Sequence, residues 1–416
     1  GWSWYSYEKK KMKSILFLGA AEFQIAPIKY AIDSGYKVLT CDNKPDNPGH
    51  KLAHKKFNIS TLDYDKIIKA IKPYKVDGIL SYASDVSSFS ASKIAEFLKI
   101  NGHKPNVINT LTNKLKFRDF LLKNNIQSQK FFQIKKNHFI EIKLILSTYK
   151  NKKWILKPSD SSGAKGVSMI NQEKKIGEIK RLVKYALENS SSKELIIEEF
   201  IERKGNQVCG DGYYKNREIK YIEFGDGWSY HRQKENNYTP YAESFPSMHQ
   251  NDDLERLKKH LENILHRIGF KEGPFNHDSI IMKDGTPFVI EIGPRCGGNF
   301  IPDAIKYLSG FDFAEHSVEH SLGNSLPIKK NYLKRYKYIA NVMLHSKKKM
   351  IFKGMEIHKS ISKNILEKNI YISYGENIEK FNNSTSYYGN IIFHTNIKEE
   401  LFMILKNPNN FFKPSI

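Results

Sequence analysis

Two acids, Asp278 and Glu291, flank the dipeptide Asp284-Gly285 at equal distances: Asp278 lies six positions before Asp284, and Glu291 six positions after Gly285. Residues 275–282 and 287–292 are rich in β-formers. Asp-Gly is among the strongest hairpin signals, because a two-residue type I′ turn needs positive φ at both central positions. Such a turn makes the two acids cross-strand partners on one face of the hairpin. Directly opposed carboxylates have Cβ atoms about 5 Å apart and repel each other unless a cation bridges them. The pair therefore reads either as a divalent-cation site, with magnesium the natural occupant, or as two solvated acids on an exposed sheet. Magnesium with one or two protein carboxylates and several open positions is the usual way to hold nucleotide phosphates.

A chain of 416 residues can form two or three packed units and bury a core without disulfides. Cys41, Cys209 and Cys296 are too few and too scattered for a disulfide framework or a zinc knuckle, so the expected setting is reducing and cytoplasmic. No apolar run approaches the roughly 18 residues that span a bilayer, and the N-terminus lacks the pattern of a signal peptide. Residues 1–11 precede Met12 and a clean strand at 13–18, and are expected to lie outside the folded protein as a tag or upstream translation. The 67 basic and 44 acidic residues give a net charge of +23. The lysines are spread along the chain among Asn and Ile, without a basic stripe or an aromatic recognition motif, which argues against nucleic acid as a partner.

From residue 13 to about 108, short β runs alternate with helical stretches: strands at 14–19, 37–41 and 78–82, helices at 25–34, 65–72 and 91–98. That alternation predicts parallel strands with crossover helices in a doubly wound sheet. Gly19-Ala20-Ala21-Glu22 resembles a Rossmann turn but lacks G-x-G-x-x-G, so dinucleotide binding is not indicated. Residues 112–125 read as an amphipathic helix, with Leu115, Phe117, Phe120 and Leu121 inward and Lys114, Lys116 and Arg118 on the opposite side. An antiparallel section at 154–170, a helix at 176–189, a strand at 194–201 continuing into 207–214 and 218–223, and a helix at 252–268 lead to the two-acid hairpin. The tail from about Asn331 carries short strands at 338–344 and 390–394 and a helix near 398–405.

The strand Trp154-Ile155-Leu156-Lys157-Pro158 ends in a lysine and runs into Ser159-Asp160-Ser161-Ser162-Gly163-Ala164-Lys165-Gly166. A Ser- and Gly-rich loop can bring backbone N–H groups to phosphate oxygens, with a lysine at its base as a point charge. It is no Walker A loop, since it joins two strands rather than opening a helix. The alternative is an ordinary flexible hairpin. Leu195-Ile196-Ile197-Glu198-Glu199-Phe200-Ile201 is an apolar strand that turns polar at Glu198 and could serve a purine edge through its backbone. Cys296 has no neighbouring His motif to make it a nucleophile, and Gly297-Gly298-Asn299 suits either a plain turn or N–H groups aimed at a carboxylate or acyl phosphate. His316 and His320, spaced for one helix side, read as a solvated face in preference to a metal pair. Residues 231–245 read as a substrate-facing loop.

In this order, "TNKLKFRDFL", "WILKPSDSSGAKGV", "LIIEEFI" and "DSIIMKDGTPFVIEIGPRCGGNFIP" resemble the ATP-grasp superfamily, over about residues 13–323. The likeness is nearest to the carboxylate-amine ligase branch, beside the purine-biosynthetic ligases and biotin carboxylase. It implies α/β and α+β architecture: an ATP-grasp fold with an N-terminal Rossmann-like pre-ATP-grasp domain at 13–110, an ATP-grasp domain at 111–330 with a lid at about 125–200, and a small C-terminal α+β subdomain at 331–416.

By that resemblance Lys114 and Lys157 are the nucleotide-binding lysines, and Ser161, Ser162, Gly163 and Gly166 belong to the lid over the β- and γ-phosphates. Glu198, Glu199, Phe200 and Ile201 form the hinge that reads adenine. Asp278 and Glu291 hold magnesium, or manganese in its place; Arg295 stabilises the acyl phosphate, Lys157 contacts the α-phosphate and adenine side, and these two are the catalytic residues. Three positions depart from the pattern: Gln207 stands where a ribose-binding glutamate is usual, with Glu202 a rival; Gly293 stands where many members have a metal-binding asparagine; and Asp278 replaces the more frequent glutamate. The implied activity is ATP-dependent activation of a carboxylate for attack by an amine. A bicarbonate-dependent carboxylating ligase and a non-catalytic ATP-binding regulator are the alternatives. The implied partners are a small-molecule acid and an amine, with a homodimer allowed and neither nucleic acid nor membrane expected.

Overall fold

The computed structural model describes residues 12–230 and 238–416; residues 1–11, and residues 231–237 of the loop expected to face substrate, lie outside the described residues. The chain divides into two compact units. One comprises the N-terminal residues through Pro105 together with Phe313–Pro327, and the other Asn106–Asp312 with Ile328–Ile416.

In the first unit, β1 (Ser14–Leu18), β2 (Lys37–Cys41), β3 (Lys55–Phe57) and β4 (Gly78–Leu80) form a parallel sheet in the order β3-β2-β1-β4. β1 is buried throughout, as expected for a central strand covered on both faces. The helix Phe313–Ser321 returns to this unit, where Tyr30 and Tyr36 each donate a hydroxyl hydrogen bond to Glu319 Oε1 at 2.9 Å. His316 and Glu319 are consequently buried, not on a solvated face as the local sequence suggested. Gly78 is required at this contact: a Cβ there would lie 2.8 Å from Ser321 O.

In the second unit, β5 (Phe131–Ile134), β6 (Trp154–Pro158), β7 (Ser168–Ile170) and β8 (Leu195–Glu199) form an antiparallel sheet ordered β5-β8-β6-β7. Trp154, Leu156, Ile170 and Ile197 pack it against the helices His138–Thr148 and Ile176–Glu188. β9 (Gln207–Lys215), β10 (Glu218–Trp228), β11 (Ala242–Phe245), β12 (Gly273–Ile281), β13 (Pro287–Gly293) and β14 (Tyr338–Leu344) belong to an eight-stranded sheet ordered β13-β12-β9-β10-β11-β14, extended by Gly389–Thr395 and then Ile365–Ile370. The strand expected to run on from 194–201 thus stops at Glu199 and the chain changes sheets before Gln207. Strands of the tail continue the same sheet that carries the two-acid hairpin.

One face of the large sheet is apolar. Val208, Tyr214, Phe275 and Val289 pack there against Leu257, Leu261 and Ile264 of the helix Asn251–Ile268. Because side chains alternate along a strand, the residues between them project to the other face, which carries Gln207, Asp211, Glu243, Asn276 and Asp278.

Candidate active site

Asp278 does pair with Glu291, but by a different route from the one expected. Met282 N–H bonds to Thr286 O and Gly285 N–H to Met282 O, both at 2.9 Å, so the loop has three residues, Lys283, Asp284 and Gly285. Only Gly285 has positive φ, +86°, so the turn is not type I′; a three-residue loop with glycine in the left-handed position is the next commonest hairpin connection. The longer loop pairs Ile281 with Pro287, Ile280 with Phe288 and Ser279 with Val289. Carried on unchanged, that register would set Ile290 opposite Asp278 and turn Glu291 into the apolar core. A β-bulge between Ser279 and Asp278 admits Ile290 as an extra residue, and the pairing resumes as Asp278 with Glu291. Ile290 and Glu291 both line the main pocket, while Val289 and Ile292 sit in the core.

The two acids are half-buried and directly paired across the two strands. Burial first, and the Glu291 charge second, hold the Asp278 carboxyl well above its usual range. Burial would raise Glu291 too, but Lys114, Asp278, Lys157 and Arg295 together bring it below its ordinary value. Gln207 Nε2 donates to Asp278 Oδ1 at 3.0 Å. Among the described residues no group of three or more His, Cys, Asp or Glu could hold a metal. The chain thus offers a divalent ion two carboxylates and leaves the remaining positions to phosphate oxygens and water, which suits magnesium on a nucleotide.

A buried charge cluster faces this pair. Lys157, at the end of β6, is 4 % exposed and forms an ion pair with Glu198 of β8, also 4 % exposed. Arg118 completes the cluster: its Nε donates to Glu198 Oε2 at 2.7 Å, and its Nη1 donates to Ile290 O, the carbonyl of the bulge residue, also at 2.7 Å. Arg118 is therefore buried, contrary to its expected place on the outer side of the helix Lys114–Lys123. Burial lowers Lys157 to about 8, the Glu198 charge opposing and the Arg118 and Lys114 charges adding to the fall. Glu198 is driven the other way: despite its burial, Arg118 and Lys157 bring it down to about 2. Its side chain serves the cluster, so any contact of Glu198 with a base falls to its backbone.

Lys114 reaches across to donate to Ser161 O at the base of the Ser/Gly loop. Lys114, Lys157, Ser161, Ser162 and Gly163 line the same pocket as Asp278 and Glu291, and Gln207 joins them. Gly166 does not; it packs against Pro158 and Asn189. Glu202 is also absent from the lining and makes an exposed ion pair with Lys283. Glu198, Glu199, Phe200 and Ile201 also line it. The Glu199 and Phe200 N–H groups are taken by Lys130 O and Lys153 O, both at 2.9 Å, whereas Ile201 N–H has no partner among the described residues. Gln129, which the sequence reading passed over, donates through Nε2 to Glu199 O at 2.6 Å and leaves its buried Oε1 without a partner in the pocket wall.

Arg295 lies outside this lining. Its guanidinium covers Gly293, where a Cβ would come within 2.8 Å of Cζ, so glycine at 293 is what gives the arginine its place. The Gly297 N–H is already engaged: it donates to both oxygens of Asp211 at 2.9 Å, and Asn276 Nδ2 donates to Asp211 Oδ1 at 2.9 Å. Of the three residues read as an anion cradle, Gly297 is thus committed to holding the loop on the sheet. Cys296 is fully buried.

Residues 151–303 match the ATP-grasp domain family. Dapdiamide A synthase of Enterobacter agglomerans is 24% identical over 175 residues, which are 42% of this chain and 40% of that protein, so the match spans about two fifths of the relative's length. Among solved structures, phosphoribosylglycinamide synthetase from Anaerococcus prevotii superposes with a TM-score of 0.73 at 19% identity, covering 97% of this chain and 99% of that one. L-amino acid ligase from Bacillus licheniformis gives 0.77 at 16% identity, with 96% and 98% covered. Residues 151–303 thus carry the match to the ATP-grasp domain family, and the mixed α/β architecture with these superpositions shows an ATP-grasp fold.

Proposed function

We propose that the chain is an ATP-dependent carboxylate-amine ligase. The observation that carries this reading is the convergence of Asp278, Glu291, Lys114, Lys157 and the Ser/Gly loop on one pocket whose far end is a strand-edge hinge. An adenine edge suits that hinge: its amino group would donate to Gln129 Oε1, and a ring nitrogen would accept from Ile201 N–H.

The phosphates then extend toward Lys157, Lys114 and the loop of Ser161, Ser162 and Gly163. A divalent cation between Asp278 and Glu291 would neutralise phosphate oxygens and the charge that develops between them. The carboxylate oxygen of the acid attacks the γ-phosphorus as the bond to the β,γ-bridging oxygen breaks, giving an acyl phosphate and ADP. The amine nitrogen then bonds to the acyl carbon, the C–O bond to phosphate breaks, and the amine gives up a proton. Lys157 holds phosphate charge in a dry site where Coulomb terms are strong, and Glu198, itself held by Arg118, holds Lys157. No side chain acts as a nucleophile. In this reading Arg295, whose guanidinium covers Gly293, would meet the acyl phosphate.

The matches to an L-amino acid ligase and to dapdiamide A synthase make amino acids the first acids and amines to try. The test is phosphate release with ATP, magnesium and pairwise combinations of acids and amines. Release is expected only when both partners are present, and Lys157→Ala or Glu291→Ala should abolish it. Wild-type turnover in both variants, or bicarbonate-dependent release with no amine, would replace this reading.

A further inference from the structure

The sheet face that carries Gln207 and Asp278 holds another acid that has no ion-pair partner among the described residues. Glu243, on β11, stands across from Gly227 on one side and Asn341 on the other, and it is 2 % exposed. Its Oε1 accepts from Asn299 Nδ2 at 3.0 Å, while Oε2 is buried and has no hydrogen-bond partner. Among the described residues no lysine, arginine or histidine forms an ion pair with it; the groups acting on it are Asn299, Asn341 and the acid Asp211. An ionised carboxylate at this depth is costly without a cation. Burial accordingly pushes the Glu243 carboxyl up to about 7.

There is room beside it. Gly227 is its direct neighbour on β10, and a Cβ built there would meet only Gln207 O, at 3.8 Å. One built on Gly298, next to Asn299, would meet nothing within 4 Å. This openness is local: at Gly225, two residues before Gly227, a Cβ would strike the Phe245 ring at 2.5 Å. The space is also in register with the reaction. The segment that carries Arg295 is tied to the sheet by Gly297 on Asp211 and ends at Asn299 on Glu243. β11 lies three strands from β12, and Glu243 is two residues out of register with Asp278, so the two carboxylates are about 16 Å apart across the sheet. That leaves the length of a small substrate once the γ-phosphate is in place.

We propose that Glu243 is the seat of a substrate ammonium group, held by Oε2 in the space over Gly227. The proposal rests on the ligase reading and names the substrate class: an acid that carries a primary ammonium, since a nitrogen held as –NH3+ has no lone pair with which to attack. One unpartnered carboxylate oxygen, with Asn299 and Asn341 as its neighbours, matches a compact donor such as –NH3+ and falls short of the oxygen set a metal ion requires.

Equilibrium dialysis of the whole chain tests it, with magnesium, β,γ-methylene-ATP and three labelled probe mixtures: free L-amino acids, their N-acetyl derivatives and their amides. Wild type should retain the free amino acids and not the N-acetyl derivatives. Glu243→Gln should weaken retention by about 30-fold or more while binding of β,γ-methylene-ATP, which also reports folding, stays as in wild type. The amides keep the ammonium and should also be retained in preference to the N-acetyl derivatives. Gly227→Val, which fills the space without touching a charge, should act like Glu243→Gln and serves if that variant does not fold. Wild-type retention in both variants, equal retention of the N-acetyl probes, or no retention by wild type would overturn the proposal. In each of these cases intact β,γ-methylene-ATP binding would leave the ligase reading standing; its absence in wild type would remove both.

Discussion

Asp278 faces Glu291 across β12 and β13 because Ile290 is bulged out between them and the three-residue loop, and Arg118 holds the Ile290 carbonyl at 2.7 Å. The bulge is what decides which way Glu291 points. Inserting one alanine between Ile290 and Glu291 should set that alanine opposite Asp278, turn Glu291 toward the Val289 face and the core, and cost at least about 3 kcal/mol for the uncompensated buried charge. Urea denaturation checks this: a midpoint equal to wild type would show that the bulge does not set the side chain's direction.

Arg118 joins Glu198 to the bulge, so its removal should be felt in two places. Arg118→Met leaves Glu198 with Lys157 alone and is expected to lose about 3–5 kcal/mol of stability. The double variant Arg118→Met, Glu198→Gln should recover part of that loss, since the unpaired charge is gone. A cycle of denaturation midpoints measures the coupling; additive effects would mean the two side chains are not energetically linked.

Stability should fall in acid through a definite window. Glu198 has a folded-state value near 2, against 4.5 for the free group. The unfolded chain therefore takes up its proton first as the pH drops, and the stabilisation, complete above about 4.5, is lost progressively toward 2. The size is on the order of 3 kcal/mol. Comparing wild type with Glu198→Gln between pH 6 and 2.5 isolates it, because the variant should lack this slope.

Gln129 is expected to select the base. Its Nε2 is fixed on Glu199 O, so Oε1 presents an acceptor, which favours a 6-amino purine over a 6-oxo one. Gln129→Leu should weaken ATP binding by roughly 10-fold, the worth of about one hydrogen bond to a buried acceptor, and reduce the preference of ATP over ITP. Calorimetric titration with both nucleotides reads this directly; an unaltered ratio would place the base elsewhere.

Much of this site was legible locally, and the parts that were not share a cause. The partnership of Asp278 and Glu291 could be read because one added loop residue and one added strand residue cancel, leaving the same pair opposite each other. The loop type and the bulge were invisible for that same reason. Alternation of β runs and helical stretches before residue 108 predicts the parallel sheet, since each element carries its own periodicity. Arg118 was misplaced because helix periodicity favours sending a charge outward, and its partners lie 80 and 172 residues away. A usable signal did exist: Glu198 interrupts the apolar strand 195–197 and needs a buried cation. Glu243 gave none, because a single acid in a short strand looks the same whether it faces solvent or substrate.

The most direct test of the paired carboxylates is manganese binding followed by electron paramagnetic resonance, with and without ADP, in wild type and in Asp278→Asn and Glu291→Gln. The account predicts tight manganese uptake that depends on ADP in the wild type and falls by roughly 100-fold in either variant, with the fold retained. Equal uptake in all three proteins, or uptake indifferent to ADP, would contradict it.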